Sequence, residues 1–137
     1  MSRARAAYSN YSKGIGNIMT QFFKQLSLAS FFGLMLTLIA WITIAEHSSN
    51  YPVSAWLFIA LAPLLFPLRG LLYGKPYTHA WTGFIMLLYF SHGIGEVYSA
   101  QAFDLYACLE VLFSSVTFIA SIIFIRLNAN DLKQVTK

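Results

Sequence analysis

The chain has 137 residues, suiting one compact domain, but it is 58% hydrophobic and only 10% charged, where soluble domains carry about a quarter charged residues. A water-soluble fold this small buries too limited a share of its area to hide that much apolar surface, so the composition points to lipid as solvent. The net charge of +4 does not mark a nucleic-acid surface, because the bases form no patch with interleaved aromatics, and the single cysteine excludes an internal disulfide framework.

Residues 1–25 read as a basic leader carrying Arg3, Arg5, Lys13 and Lys24. Within it, Ile15, Ile18, Met19, Phe22 and Phe23 alternate with Asn17, Gln21 and Lys24, the pattern of a short amphipathic helix on a membrane surface or of a frayed start to the first span. The first uncharged apolar run, Leu26 to Ala45, is long enough to cross a bilayer. It lacks the small-residue cleavage site of a signal peptide and is expected to stay. Ala29, Gly33, Thr37 and Ala40 make a face of small residues, read as packing within the bundle in preference to a dimer interface. Glu46 to Asn50, with His47, reads as a loop.

The second run, Pro52 to Leu68, contains Pro63 and Pro67. Each removes a backbone donor, so a kink or unwinding is expected, freeing the carbonyls of Ile59 and Pro63. The turn that follows holds Arg69 and Lys75 next to Thr78 and His79. With Thr78 as N-cap, the start of the third helix could hold an anion there, most simply a lipid phosphate, or serve as an interfacial turn with basic anchors.

The third span runs from Tyr77 to about Val97. Thr78, Thr82, Ile85, Tyr89, His92 and Glu96 share one helical face at about 100° per residue. The fourth, Leu105 to Ile125, repeats the pattern with Glu110, Ser114, Thr117 and Ser121. Two polar stripes on successive antiparallel helices are expected to face each other, since lipid exposure would leave them unpaired. That places His92 near Glu110, in an outward-side cluster with Tyr89, Glu96 and Ser114. Residues 128–137 form a tail.

All nine Lys and Arg fall on one side of a four-span arrangement, which the positive-inside rule makes cytoplasmic. Trp41, Tyr51, Trp56 and Tyr98 mark the outer boundary; Tyr73, Tyr77 and Trp81 mark the inner one. The expected fold is therefore all-α: four transmembrane helices in an antiparallel up-down bundle, with both termini inside.

The polar residues admit a structural hydrogen bond, a proton or ion pathway, or a metal set of His92, Glu96 and Glu110, whose spacing matches no specific metal motif. His79 and His92 lie ~20 Å apart along one helix, so they cannot share a haem. No catalytic motif appears, and no cofactor is implied.

The stretch LAPLLFPLRGLLYGKPYTHAW, with LLYFSHGIGEVY and LEVLFSS after it, resembles the proteobacterial membrane proteins grouped as domain of unknown function 2069, over residues 26 to 127. Pro67, Arg69, Gly70, Pro76, Tyr77, Thr78 and His79 carry its specific part, and His92-Gly93, Glu96 and Glu110 also fit. The resemblance implies a small multi-pass protein of a bacterial inner membrane and supplies no reaction. The resulting expectation is a non-enzymatic structural or accessory component, or a binder of a membrane-resident ligand. Its partners would be the bilayer, anionic phospholipid headgroups, and a second copy or another membrane protein, but not nucleic acid. The alternatives are a small oligomeric transporter or channel subunit using the polar stripe, and a metal- or quinone-linked redox component.

Overall fold

In the computed structural model, residues 2–45 and 52–136 are described. The expected loop Glu46 to Asn50, with His47, and the expected belt residue Tyr51 lie outside them. The described chain forms α1 (Ser2–Ala45), α2 (Val53–Leu72), α3 (Pro76–Ser99) and α4 (Leu105–Val135). Helices are the form that a chain in lipid can take without leaving backbone groups unpaired. Three of the four, α1, α2 and α4, are both long and apolar enough to cross a membrane. The 24 residues of α3 would also span, at ~36 Å, but its polar stripe lowers its apolar content.

The first helix is a finding in itself. It does not begin at Leu26 but continues without a break from Ser2 through the leader. Its 44 residues measure ~66 Å, about twice the hydrocarbon thickness. Likewise α4 continues past Ile125 to Val135, and the two extensions meet, with the Thr20 hydroxyl donating to Asp131 at 3.1 Å.

The four helices close a ring in which α4 packs along α1 and α3, while α2 bridges α1 and α3 more loosely. Neighbours run antiparallel. Ser27 of α1 bonds Ser121 of α4 at 2.9 Å, His79 near the start of α3 meets the same Ser121 at 3.4 Å, and His92 near its end meets Glu110 at the start of α4. The expected small-residue face on α1 packs within the chain at Gly33, where an added Cβ would lie 2.9 Å from the Phe113 ring. Ala29 of the same face is exposed.

Burial is inverted relative to a soluble protein. Ser27, Ser30, Thr37, His79, Thr82, Glu110, Ser114, Thr117 and Ser121 are buried, while Phe58, Phe66, Phe84, Leu88 and Ile119 face outward. Most of the inward hydroxyls are satisfied by their own helix: Ser30, Thr37, Thr82 and Thr117 each donate to the carbonyl four residues back. Apolar Phe31, Leu34, Leu38, Leu64, Leu71 and Met86 fill the space between.

Unwinding in α2 and the capping of α3 by Thr78 are the local expectations that the structure corrects. The helix α2 runs through Pro63 and Pro67 without unwinding. Next to the Ile59 carbonyl that Pro63 leaves without an amide, the Ala60 carbonyl accepts the Tyr89 hydroxyl from α3. Second, Thr78 is not the N-cap of α3. Lys75 holds that position and Pro76 is the first helical residue, where its fixed φ and missing N–H cost nothing. The Thr78 side chain instead sits against Gly70, where no Cβ would fit. The α2–α3 turn is a Schellman closure: Lys75 N–H donates to Gly70 and Gly74 N–H to Leu71, both at 3.1 Å. Gly74 takes φ +67 there, with the Lys24 side chain filling the space a Cβ would need.

The α3–α4 approach depends on Gly93, where an added Cβ would lie 2.8 Å from Val111 Cγ2 and 3.3 Å from the Val111 backbone nitrogen. Gly95, two residues on, has nothing within 4 Å. Gly93→Ala is expected to cost about 1–3 kcal/mol through overpacking, while Gly95→Ala is neutral or gains up to about 1 kcal/mol from helix propensity. Unfolding of the purified protein in mixed micelles, followed by circular dichroism, checks the pair; equal effects would mean the helices do not meet at Gly93.

Candidate functional site

The facing stripes bring their two most polar members together at one end of the bundle. Glu110 lies in the second turn of α4, buried to 0%, six residues along from Asp104, whose side chain caps this helix through the Tyr106 amide. His92 Nδ1 is hydrogen-bonded to it, 3.2 Å from Oε1 and 3.4 Å from Oε2. The expected His92–Glu110 contact is thus present. Glu96, one turn beyond His92 on α3, stands 4.0 Å from the other ring nitrogen, Nε2. The imidazole sits between the two carboxylates. This geometry opposes the metal reading, because a single ion cannot lie on both sides of one ring; among the described residues no three His, Cys, Asp or Glu side chains gather as a metal set.

At the end of the bundle that holds His92 and Glu110, the described helices do not close the ring. A cavity of about 460 Å³ lies there. Its walls are Leu38, Trp41 and Ile42 of α1, Trp56, Ile59, Ala60 and Pro63 of α2, and Leu88 of α3. Tyr89, His92, Glu96 and Glu110 supply its polar end. The cavity exists because α1 and α3 both lean on α4 and not on each other, leaving α2 to bridge them loosely. Ile59 and Leu88 are exposed on the outer, apolar surface while also lining the cavity. The mouth therefore opens among exposed apolar side chains, with His92 and Glu96 half exposed at its end.

Of the outward-side residues expected from sequence, Tyr89, His92, Glu96 and Glu110 line this one cavity. Ser114 does not: it is buried below and donates to the Val111 carbonyl of its own helix at 3.1 Å. The inner set divides too. Arg69 and Lys75 are exposed at the turn, but His79 is turned inward and buried, its ring 4.3 Å from that of Phe124. Its Nε2 has no hydrogen-bond partner among the described residues. The neighbour the turn does gain is Lys24, brought from α1.

Spacing along α3 and α4 could not reveal Trp41 and Trp56 as walls. Both read as interfacial belt residues, which Trp56 still resembles at 47% exposed, but Trp41 turns in and its ring lies 5.9 Å from that of His92. Cys108 borders a shallow groove with Ile94, Val97, Tyr98 and Val111, where it acts as a packing residue.

The chain belongs to the family of predicted membrane proteins designated DUF2069, whose family model matches residues 26–129. No curated protein and no solved structure matches the chain. The match covers the turn, the cavity and both polar stripes, and leaves out the leader.

His92 and Glu110 are expected to act as a coupled pair. Glu110→Ala strands the imidazole and His92→Ala strands a buried carboxylate, so each destabilises, and the double variant costs less than the sum by on the order of 1 kcal/mol. Unfolding midpoints of the four proteins in one double-mutant cycle check this; additive costs would mean the contact contributes nothing.

Proposed function

We propose that this DUF2069 protein is a four-span component of a bacterial inner membrane that binds a membrane-resident ligand and is not an enzyme. The observation that carries this is the cavity of about 460 Å³, within the range of about 300–1,000 Å³ usual for small-molecule sites. It combines apolar walls with one convergent polar end and a mouth among lipid-facing side chains. The alternative of a conduction path is less well supported: below Glu110 the stripe closes, with Thr82, Ser114, Thr117 and Ser121 all at 0% exposure.

The α3 helix serves as the fourth span because it lies antiparallel along α4, its polar residues turned inward. Counting it as a crossing puts every Lys and Arg on one side, which makes both termini cytoplasmic. On that face Arg69 and Lys75, joined by Lys24, suit anionic phospholipid headgroups; the planar fork of Arg69 can grip phosphate with two bonds.

Reporter fusions test the arrangement. A fusion at Ala100 is expected to report the periplasm and fusions at Gly74 and Lys137 the cytoplasm; a periplasmic C-terminus would end the four-span reading.

Native mass spectrometry from detergent-free preparations tests the binding role. The wild type is expected to carry a small molecule that Ala60→Leu, which adds bulk to the cavity wall, loses with the fold intact. An Arg69→Ala chain should retain fewer anionic lipids in the same spectra. A ligand carried equally by the wild type and Ala60→Leu would place it elsewhere.

A further inference from the structure

The polar end of the cavity has more acceptors than donors. A carboxyl group offers several acceptor positions on its two oxygens. Among the described residues, both oxygens of Glu110 share one hydrogen-bond partner, His92 Nδ1, at 3.2 and 3.4 Å, although the residue is fully buried. Tyr89, the nearest hydroxyl on the cavity wall, gives its proton to the Ala60 carbonyl. Ser114, one turn along α4, gives its own to Val111. Glu96 adds a second carboxylate at the rim, on the far side of the same imidazole. A buried acceptor without enough donors is costly, so this end of the cavity is complementary to a group that brings N–H donors.

The walls narrow the choice. Trp41 stands beside His92, and Trp56 lines the same space. Indole faces attract cations, more strongly where water is excluded. A ligand headed by a carbonyl, carboxylate or phosphate would meet two carboxylates and one imidazole. A small inorganic cation would find apolar surface over most of the cavity, and the two carboxylates on opposite sides of the ring.

We propose that the cavity binds amphipathic organic cations bearing N–H donors, protonated alkyl or arylalkyl amines. The ammonium sits against Glu110 and within reach of Glu96, and the apolar body runs past Trp41 and Trp56 toward the bilayer between α2 and α3. This rests on the reading of the cavity as a ligand site and names the chemistry of the ligand.

The test compares phenylbutylamine, protonated at neutral pH, with phenylbutanol, which has the same body and no charge. The full chain is held in lipid nanodiscs, with empty discs as the partition control. The chain has three tryptophans, and two line the cavity; Trp81→Phe removes the third, so emission reports on the site. The amine is expected to bind about tenfold or more tightly than the alcohol, the scale of one or two charge-assisted hydrogen bonds. Glu110→Gln is expected to erase that preference, amine and alcohol then binding about equally. If amine and alcohol bind equally, or Glu110→Gln keeps the preference, the cation assignment is overturned and the cavity remains a ligand site. If neither ligand binds above the empty discs, both readings fall. Should Glu110→Gln not fold, Glu96→Gln at the half-exposed rim serves instead: a reduced preference supports the proposal, and an unchanged one overturns it.

Discussion

A buried carboxylate in a bilayer must be met by a partner from the same chain, and most of this structure follows from how Glu110 is met. Its side chain is buried, and lipid offers it no hydrogen-bond partner. Its partner, His92, comes from the adjacent antiparallel helix, which sets the register of α3 on α4. With that register set, the remaining inward polar residues fall opposite one another: Thr82 with the hydroxyl face of α4, and His79 with Ser121. Gly93 allows the approach, since Val111 occupies the space its side chain would need.

The hydroxyl residues show how a polar interior is made tolerable in lipid. Ser30, Thr37, Thr82 and Thr117 return their protons to carbonyls of their own helices, so they need no second helix. They add little bulk and let backbones come close. Only Ser27, Ser121 and His79 join three helices directly, and they do so at the inner half of the bundle. Near the α2–α3 turn the bundle is therefore tied across α1, α4 and α3, while at the other end the side-chain bonds among the described residues run from α3 to α4 through His92 and from α3 to α2 through Tyr89. The cavity lies at that second end, with α1 and α2 among its walls.

The two corrected local readings share one physical cause. Proline was treated as a breaker in α2, and threonine as the natural cap of α3. In the folded chain α2 continues through both prolines, and the Tyr89 hydroxyl from α3 donates to Ala60, next to the carbonyl that Pro63 leaves free. At the turn, the Schellman closure already ends α2, so Pro76 can start α3 directly and Thr78 is released to pack on Gly70. Tertiary contacts supplied the hydrogen bonds that local rules assign to the nearest side chain.

Composition and periodicity are enough to give the solvent and the polarity pattern. Apolar runs of span length required helices in lipid. The 3–4 spacing of Thr78, Thr82, Tyr89, His92 and Glu96, and of Glu110, Ser114, Thr117 and Ser121, required two inward polar faces and brought His92 to Glu110. These follow from one-dimensional periodicity, because each polar residue has to avoid the same solvent. Only the tertiary structure decided what depends on distances between helices: the turning of Trp41 toward His92, the burial of His79 away from Arg69, the arrival of Lys24 at Gly74, and the space left between α1, α2 and α3. A helical period fixes the face a residue occupies, but not how far the neighbouring helix stands from it, and the cavity is a property of that distance.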